Sequence, residues 1–91
     1  MISKLEELFD DESFATDAIG HDNGFTINDY GDVLDYMILE YEDRYDVYLN
    51  LCDEGEAPFR DILVKGSSKS KEVARRIATR KLNKEYENLV H

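Results

Sequence analysis

Residues 65–84 read KGSSKSKEVARRIATRKLNK, and this stretch decides how the chain folds. A predicted Gly-Ser loop leads into apolar side chains that recur every three to four positions, which is the period of an amphipathic helix. The residues that share its broad apolar face are Val73, Ala74, Ile77, Ala78, Leu82, Tyr86 and Leu89. Small residues spaced by four, such as Ala74 and Ala78, let a helix lie close against a sheet. The sequence therefore predicts a C-terminal helix over residues 70–89, with Ser70 as its N-cap.

The charge of this stretch differs from that of the rest of the chain. Residues 65–84 contain eight Lys/Arg and one acid, whereas residues 1–64 contain three bases and eighteen acids. The net charge of the whole chain is −10, which argues against a polyanionic partner. A local cluster of cations nevertheless sets its own field. The basic helix therefore leaves a nucleic-acid contact open.

Length and composition predict one small domain over residues 1–91. Apolar residues make up 42% of the chain, and six Tyr and four Phe are enough to fill a modest core without a disulfide or a metal. Cys52 is the single cysteine, which excludes an internal disulfide and favours a reducing compartment. No apolar run approaches the ~18 residues of a membrane span, and the N-terminus does not resemble a secretory leader. We therefore expect a cytoplasmic protein with no membrane partner.

Residues 1–35 are predicted to hold an N-terminal helix and an irregular segment. The helix, over about residues 4–10, would bury a stripe of apolar residues at i, i+3 and i+4, namely Leu5, Leu8 and Phe9. Ser3 and Glu6 have the spacing of a capping box at its start. This helix is expected to serve packing.

The irregular segment leaves alternatives open. Residues 14–19 could add one or two helical turns ended by Gly20. Residues 21–24 are predicted to form a turn, because Asn-Gly tolerates positive φ. Residues 25–36 fit either a helix, in which Gly31 would cost about 1 kcal/mol, or an extended path into the next strand.

Residues 36–64 change to a period of two, which is typical of strands. Three segments alternate in this way, namely residues 37–42, 45–51 and 59–64. A tight connection at Asp43-Arg44 joins the first two strands, and the polar residues 53–58 join the second to the third. The sequence therefore predicts a β-meander between two helices. The predicted fold class is α+β, with a three-stranded antiparallel sheet packed on two helices.

This order of elements and the start of the last helix resemble a double-stranded RNA-binding domain. That family has the order α-β-β-β-α and the signature SKKxAKxxAA where its last helix begins. Five positions of this signature are matched. Ser70 stands at the serine and Lys71 at the first lysine. Ala74 stands at the first alanine, Arg75 at the third basic residue and Ala78 at the next alanine. Glu72 replaces the second lysine, and Thr79 replaces the second alanine.

The resemblance implies a nucleic-acid site at the start of the last helix. Lysines in a first helical turn, beside unpaired backbone N–H groups, form a site for phosphate oxygens. Members of the family place this site across the major groove, while another loop and the first helix reach the minor grooves on either side. The predicted nucleic-acid-binding residues are Lys65, Ser68, Lys69, Lys71, Arg75 and Arg76.

Three departures from the family pattern weaken this implied site. The Gly-Pro-x-His loop of the family is replaced by the short, acidic connection Glu42-Asp43-Arg44. The first helix displays acids, and Glu72 adds one more beside the lysines. Acids that face a phosphate backbone lower affinity, so any binding of double-stranded RNA or another nucleic acid is predicted to be weak and independent of sequence.

The sequence thus predicts a non-enzymatic binding module with three alternative partners. The first is nucleic acid, bound at the start of the last helix. The second is a protein partner or a second copy of the chain, bound by a module that has lost RNA binding. The third is a basic groove of another protein, which the acidic body would occupy as a nucleic-acid mimic. Because no P-loop, nucleophile motif, dinucleotide fingerprint or metal-spaced Cys/His set is present, we predict no catalytic residue, metal or cofactor.

Overall fold

The computed structural model describes residues 4–11, 13–28, 30–53 and 60–90. Their elements are helix α1 (Lys4–Phe9), strands β1 (Gly20–Ile27), β2 (Val33–Glu40), β3 (Tyr45–Asp53) and β4 (Arg60–Ser68), and helix α2 (Lys71–Val90). The strands form one antiparallel sheet in the order β1-β2-β3-β4. The α+β class is confirmed, but these residues contain four strands where the sequence predicts three.

Helix α2 lies over β3 and β4 and approaches the sheet closely. Ala74, Ala78 and Leu82 are fully buried, as the sequence predicts. The strand residue beneath them is Gly66, where an added Cβ would meet the carbonyl oxygen of Ala74 and lie 2.6 Å from the amide nitrogen of Ala78. The helix can therefore contact the sheet through backbone atoms, because position 66 carries no side chain.

The junction between β4 and α2 is tighter than predicted. The Gly-Ser segment that the sequence assigns to a lead-in loop belongs to β4, which pairs with β3 as far as Ser68. Ser70 caps the helix, since its Oγ accepts a hydrogen bond from Val73 N at 3.4 Å. Lys69 and Ser70 alone therefore connect strand to helix, which fixes the direction of α2 relative to the sheet.

The two helices lie on opposite faces of the sheet. In β3, Val47, Leu49 and Leu51 pack against α2, whereas Tyr48 packs with Leu5 of α1 on the other side. The core on the α2 face contains Leu34, Val47, Leu49, Leu51, Ala74, Ala78 and Leu82. The core on the α1 face contains Leu5, Met37, Leu39 and Tyr48. Each face of the sheet thus has its own helix and its own core.

Side chains of the sheet fix the start of α1. Asp61 Oδ2 accepts a hydrogen bond from Lys4 N at 2.9 Å, and Asn50 Oδ1 accepts one from Leu5 N at 3.2 Å. The two side chains also bond to each other, because Asn50 Nδ2 donates to Asp61 Oδ1 at 2.7 Å. Ser3, the predicted capping residue, lies outside the described residues. Distant residues therefore satisfy two of the unpaired N–H groups at the start of this six-residue helix.

The segment before β2 differs from the prediction. Residues 13–17 form turns rather than an α-helix, and Ala15 has a φ of 63°. Residues 21–24, predicted as a turn, belong to β1, which pairs with β2 from Gly20↔Glu40 to Ile27↔Val33. This strand is mostly exposed along its length, so it lacks the apolar alternation that would identify it in the sequence.

The connection from β1 to β2 distinguishes between the helix and the extended path predicted for residues 25–36. Gly31 has a φ of +84°, which a helix interior does not allow, and Asn28 Oδ1 accepts hydrogen bonds from Tyr30 N and Asp32 N. The helix is therefore wrong. Residues 25–27 and 33–36 are extended, as the alternative predicts, but a turn that begins at Asn28 separates the two strands. Strand β2 begins at Val33 and β4 ends at Ser68, so the sheet extends beyond the predicted 36–64 at both ends.

The connection from β2 to β3 is as tight as predicted. Tyr41 N donates to Arg44 O at 2.8 Å, and the guanidinium of Arg44 lies 4.2 Å from the centre of the Tyr41 ring. The other predicted connection, residues 53–58, lies outside the described residues except for Asp53. The hairpin between β2 and β3 is therefore too short to contain a loop such as Gly-Pro-x-His.

Asp35 provides a pH-dependent test of the packing on the α1 face. Burial, and secondarily the nearby Glu6 carboxylate, raise the pKa of Asp35 above its usual value. The folded state then binds this proton more strongly than the unfolded state, so the stability contributed by Asp35 is gained as pH falls through its folded pKa and lost as pH rises. Asp35→Asn should therefore raise the free energy of unfolding at pH 7 by about 0.5 kcal/mol.

Urea unfolding of both proteins at pH 7 and near pH 3.5 would measure this difference. The advantage of Asp35→Asn should shrink at the lower pH, because the raised pKa makes the wild-type carboxyl bind its proton more readily than an ordinary aspartate. Asp22→Asn removes the same charge from an exposed site and controls for the general relief of repulsion in an acidic chain. An advantage of equal size at both pH values would contradict this account of Asp35.

Candidate binding groove beside helix α2

The residues predicted to bind nucleic acid lie on two different parts of the molecule. Lys65 pairs across the sheet with Tyr48, so its side chain lies on the α1 face. Ser68 is half-buried at the end of β4, where its Oγ accepts a hydrogen bond from Ser70 N at 3.3 Å. The remaining predicted residues, Lys69, Lys71, Arg75 and Arg76, are exposed at and near the start of α2.

Lys65 belongs to a structural cluster around a buried carboxylate. Asp46 is 1% exposed, and its Oδ1 accepts hydrogen bonds from Ser67 Oγ at 2.7 Å and from Arg44 Nε at 3.2 Å. Lys65 Nζ lies 3.5 Å from Asp46 Oδ2. A buried charge needs such partners, so Lys65 is a charge partner of the Asp46 carboxylate. The sequence does not reveal this role, because nothing in its pattern shows that Asp46 is buried.

The cations at the start of α2 are held only loosely by acids. The guanidinium of Arg75 lies 3.9 Å from the carboxylate of Glu72, and both side chains are about two-thirds exposed. An ion pair this exposed contributes about 0–1 kcal/mol, so it can be exchanged for another partner. Lys69 lies apart, beside Glu40, Glu42 and the rest of the acidic β2–β3 connection.

A groove runs along the side of α2 that faces β1 and β2. The helix contacts β3 and β4, which leaves the same face of β1 and β2 open. The groove has a volume of about 620 Å³ beside the first turns of α2 and continues as a second part of about 420 Å³ beside its middle. Thr26, Leu49 and Arg75 line both parts, so the two form one channel.

The floor of the groove is apolar where β2 and β3 form it. Tyr36 and Ile38 of β2 are half-buried and pack against the edge of the α2-face core, while Val47 and Leu49 lie deeper. Gly24 lets the Tyr36 ring lie against β1, since a Cβ there would approach the ring to 3.1 Å. The groove is therefore a continuation of the hydrophobic core that no part of the described chain covers.

The wall that α2 supplies is basic. Four cations line the groove, Lys71, Arg75, Arg76 and Arg80, against two acids, Asp22 and Glu72. This balance is positive in a chain whose net charge is −10. The sequence identifies Lys71, Arg75 and Arg76 but misses Arg80 and the apolar floor. The spacing of four between Arg76 and Arg80 was the available signal, whereas the floor depends on an unpredicted strand.

Comparisons with known protein families, with curated proteins and with solved structures identify no match to this chain. Within the described ranges, no group of three or more His, Cys, Asp or Glu side chains could hold a metal ion. Neither of the helices in those ranges has the length and apolar character needed to cross a membrane. The groove is therefore the feature of the molecule that bears on its function.

Proposed function

We propose that this chain is a non-enzymatic binding module whose groove beside α2 holds an acidic amphipathic helix from a protein partner. The observation that supports this most directly is an uncovered apolar floor next to a row of exposed cations. Amphipathic helices dock in such grooves through their apolar face. Because the groove is apolar on its floor and basic on one side, we expect it to bind a helix that has an apolar stripe and acidic residues beside it.

The floor favours a polypeptide with an apolar stripe. Tyr36 and Ile38 keep part of their surface open although they adjoin the core. Covering such surface gains roughly 25 cal/mol per Å², which side chains at i, i+3 and i+4 of a docked helix would supply. A helix is about 10–12 Å across with its side chains, so it would span the open face of two neighbouring strands about 4.8 Å apart.

The wall favours acids on the side of that helix which faces α2. Lys71, Arg75 and Arg80 follow one another along the channel at intervals of four and five residues. The Debye length is about 8 Å at physiological ionic strength, so a ligand in the groove interacts mainly with these nearby cations. The distant acids of the body are largely screened from it.

A second candidate partner is nucleic acid, which the resemblance to double-stranded RNA-binding domains also favours. The observation for it is that Lys69, Lys71, Arg75, Arg76 and Arg80 are all exposed on or next to one helix. Such cations would contact phosphates without reading sequence. Single strands could also stack a base on Tyr36. Lys65 would not join this surface, because it lies on the other face with Asp46.

Fluorescence anisotropy with defined probes separates these candidates. The first probe is a labelled peptide of about 16 residues with a Leu stripe and Glu on its polar face, long enough to form a helix on binding. A scrambled peptide of the same composition is its matched control, and single- and double-stranded RNA of similar length complete the set. We expect the amphipathic peptide to bind at least about tenfold more tightly than the scrambled one, which corresponds to about 1.4 kcal/mol.

Variants locate the bound peptide. Arg75→Ala should weaken binding about three- to tenfold, because Arg75 lines both parts of the groove, and Ile38→Ser should weaken it similarly through the floor. Lys84→Ala removes the same charge from α2 outside the groove and should change affinity less than about twofold. Equal binding of both peptides would reject the proposal. Tighter binding of RNA that is lost in Arg75→Ala would establish the second candidate instead.

A further inference from the structure

The two outer strands of the sheet differ in how their free edges are treated. On β4, Lys81 Nζ donates a hydrogen bond to the carbonyl oxygen of Lys65 at 2.7 Å. A lysine over an edge is one of the devices by which proteins prevent another strand from pairing there. The edge of β4 is therefore occupied along part of its length by the chain's own side chain.

The edge of β1 presents a regular row of backbone groups. Next to the last pair of the β1–β2 register, Ile27↔Val33, Asn28 N donates to Asp32 O at 3.0 Å. Hydrogen-bonded pairs alternate along an antiparallel ladder, so even-numbered residues of β1 bond to β2. The residues that direct N–H and C=O groups to the open edge are His21, Asn23, Phe25 and Ile27. Among the described residues, no other element bonds to this row.

The side chains of β1 do not protect its edge. The strand is eight residues long and contains neither Lys nor Pro, and Asp22 is its single acid or base apart from His21. Phe25 is 77% exposed and Ile27 is 68% exposed. A long edge strand with exposed apolar side chains is a template for another strand. Because 35% of the chain is charged, this low charge is a local property of β1.

We propose that β1 pairs antiparallel with β1 of a second copy of this chain, which joins the two sheets into one. The strand is self-complementary about a two-fold axis at Gly24, as a symmetric dimer requires. In that register Asn23 pairs with Phe25 of the second copy, and His21 pairs with Ile27 of the second copy. All four outward-directed residues of each strand therefore obtain hydrogen-bonding partners.

Charge and apolar surface select a second copy as the occupant. Asp22 lies opposite Thr26 of the second copy in this register, so no acid faces an acid across the junction. The acid-rich body would repel another copy elsewhere, whereas β1 carries little charge. The two Phe25 rings would lie diagonally, about 7–8 Å apart between their positions on the strands, within reach of each other. The dimer would thus cover the most exposed aromatic side chain of the sheet.

Proline at position 23 tests the pairing. Asn23→Pro removes an N–H that points to the open edge and leaves the hydrogen bonds from β1 to β2 in place. Asn23→Ala keeps this N–H and is the matched control. In light scattering after size exclusion, from about 10 µM to about 1 mM, the wild type and Asn23→Ala should form a dimer. Asn23→Pro should remain a monomer or dimerise at least about tenfold more weakly.

Circular dichroism of each variant establishes that it is folded, so that loss of the dimer is not loss of the fold. A wild-type protein that remains monomeric at the highest concentration would overturn the proposal. So would a folded Asn23→Pro variant that dimerises as well as Asn23→Ala, since the interface would then lie elsewhere. The affinity of the groove for a peptide is measured separately, so either proposal can fail alone.

Cysteine cross-linking tests the register. Residues in a hydrogen-bonded antiparallel pair have Cα atoms about 5.5 Å apart, within the range of about 4.4–6.8 Å that a disulfide spans. In a Cys52→Ser background, Asn23→Cys combined with Phe25→Cys should give a covalent dimer on mild oxidation. Asn23→Cys alone should cross-link much less. Efficient cross-linking by the single variant would place the two-fold axis at Asn23 and reject the register centred on Gly24.

Discussion

Gly66→Ala is expected to lower the free energy of unfolding by about 3 kcal/mol, a large part of the stability of a domain this small. The added methyl group would meet the carbonyl oxygen of Ala74 and lie 2.6 Å from Ala78 N. Both are backbone atoms of α2 that cannot rotate away, so the helix must move off the sheet. That movement opens the core between Leu82 and β3.

Urea unfolding measures this loss as a lower midpoint with an unchanged slope. Gly20→Ala is the matched control, because it makes the same substitution in a strand. There the added methyl group would approach the Glu40 carboxylate at 3.2 Å, and this flexible side chain can move. Its effect should stay within about 0.5 kcal/mol. Two variants of equal stability would mean that α2 does not contact β4 through its backbone.

Asn50→Asp is the second substitution with a large expected effect, a loss of about 3 kcal/mol at pH 7. Asn50 is fully buried, and its Nδ2 donates to Asp61 Oδ1 at 2.7 Å and to Ile62 O at 2.8 Å. The substitution keeps the shape of the side chain but replaces this donor with an oxygen. Two carboxylates would then be in contact, and both cannot stay ionised.

The pH dependence of this loss identifies its cause. One carboxyl of the pair must bind a proton in the folded state, so the pKa of the pair is raised above that of the unfolded chain. Stability is then recovered as pH falls through the raised pKa and lost as pH rises through it. Unfolding at pH 7 and near pH 4 should show the difference. A second change, Asp61→Asn, returns one donor to the pair and should restore much of the stability at pH 7. A loss of stability in Asn50→Asp that does not vary with pH would contradict this explanation.

The sequence predicts those parts of the fold whose cause is local. The C-terminal helix follows from its apolar period, and its close packing follows from the spacing of Ala74 and Ala78. Strands β2 and β3 follow from alternation, because at least one of their faces is buried along most of their length. Strand β1 could not be found in this way, since solvent on both sides removes the alternation and Asn23-Gly24 resembles a turn.

Parts of the fold that depend on distant residues could not be predicted. The cap of α1 comes from Asn50 and Asp61, which are 45 and 57 residues from the N–H groups they accept. The position of Lys65 on the α1 face depends on β4 continuing through Gly66, where the sequence suggests a loop. Lys71, Arg75 and Arg76 could be identified because these basic residues lie close together in the sequence of one helix. The groove beside them requires knowledge of the strand that forms its far side.

Because α2 leaves part of the sheet uncovered, pairing of two copies would change how many partner helices can be bound side by side. If two copies pair through β1, the open halves of their sheets become neighbours, and the two α2 helices enclose a single trough. Four strands would separate the helices, a width of roughly 20 Å at about 4.8 Å per strand. Two acidic helices could then lie side by side in it. A partner that carries both on one chain would bind bivalently, with an affinity above that of either helix alone.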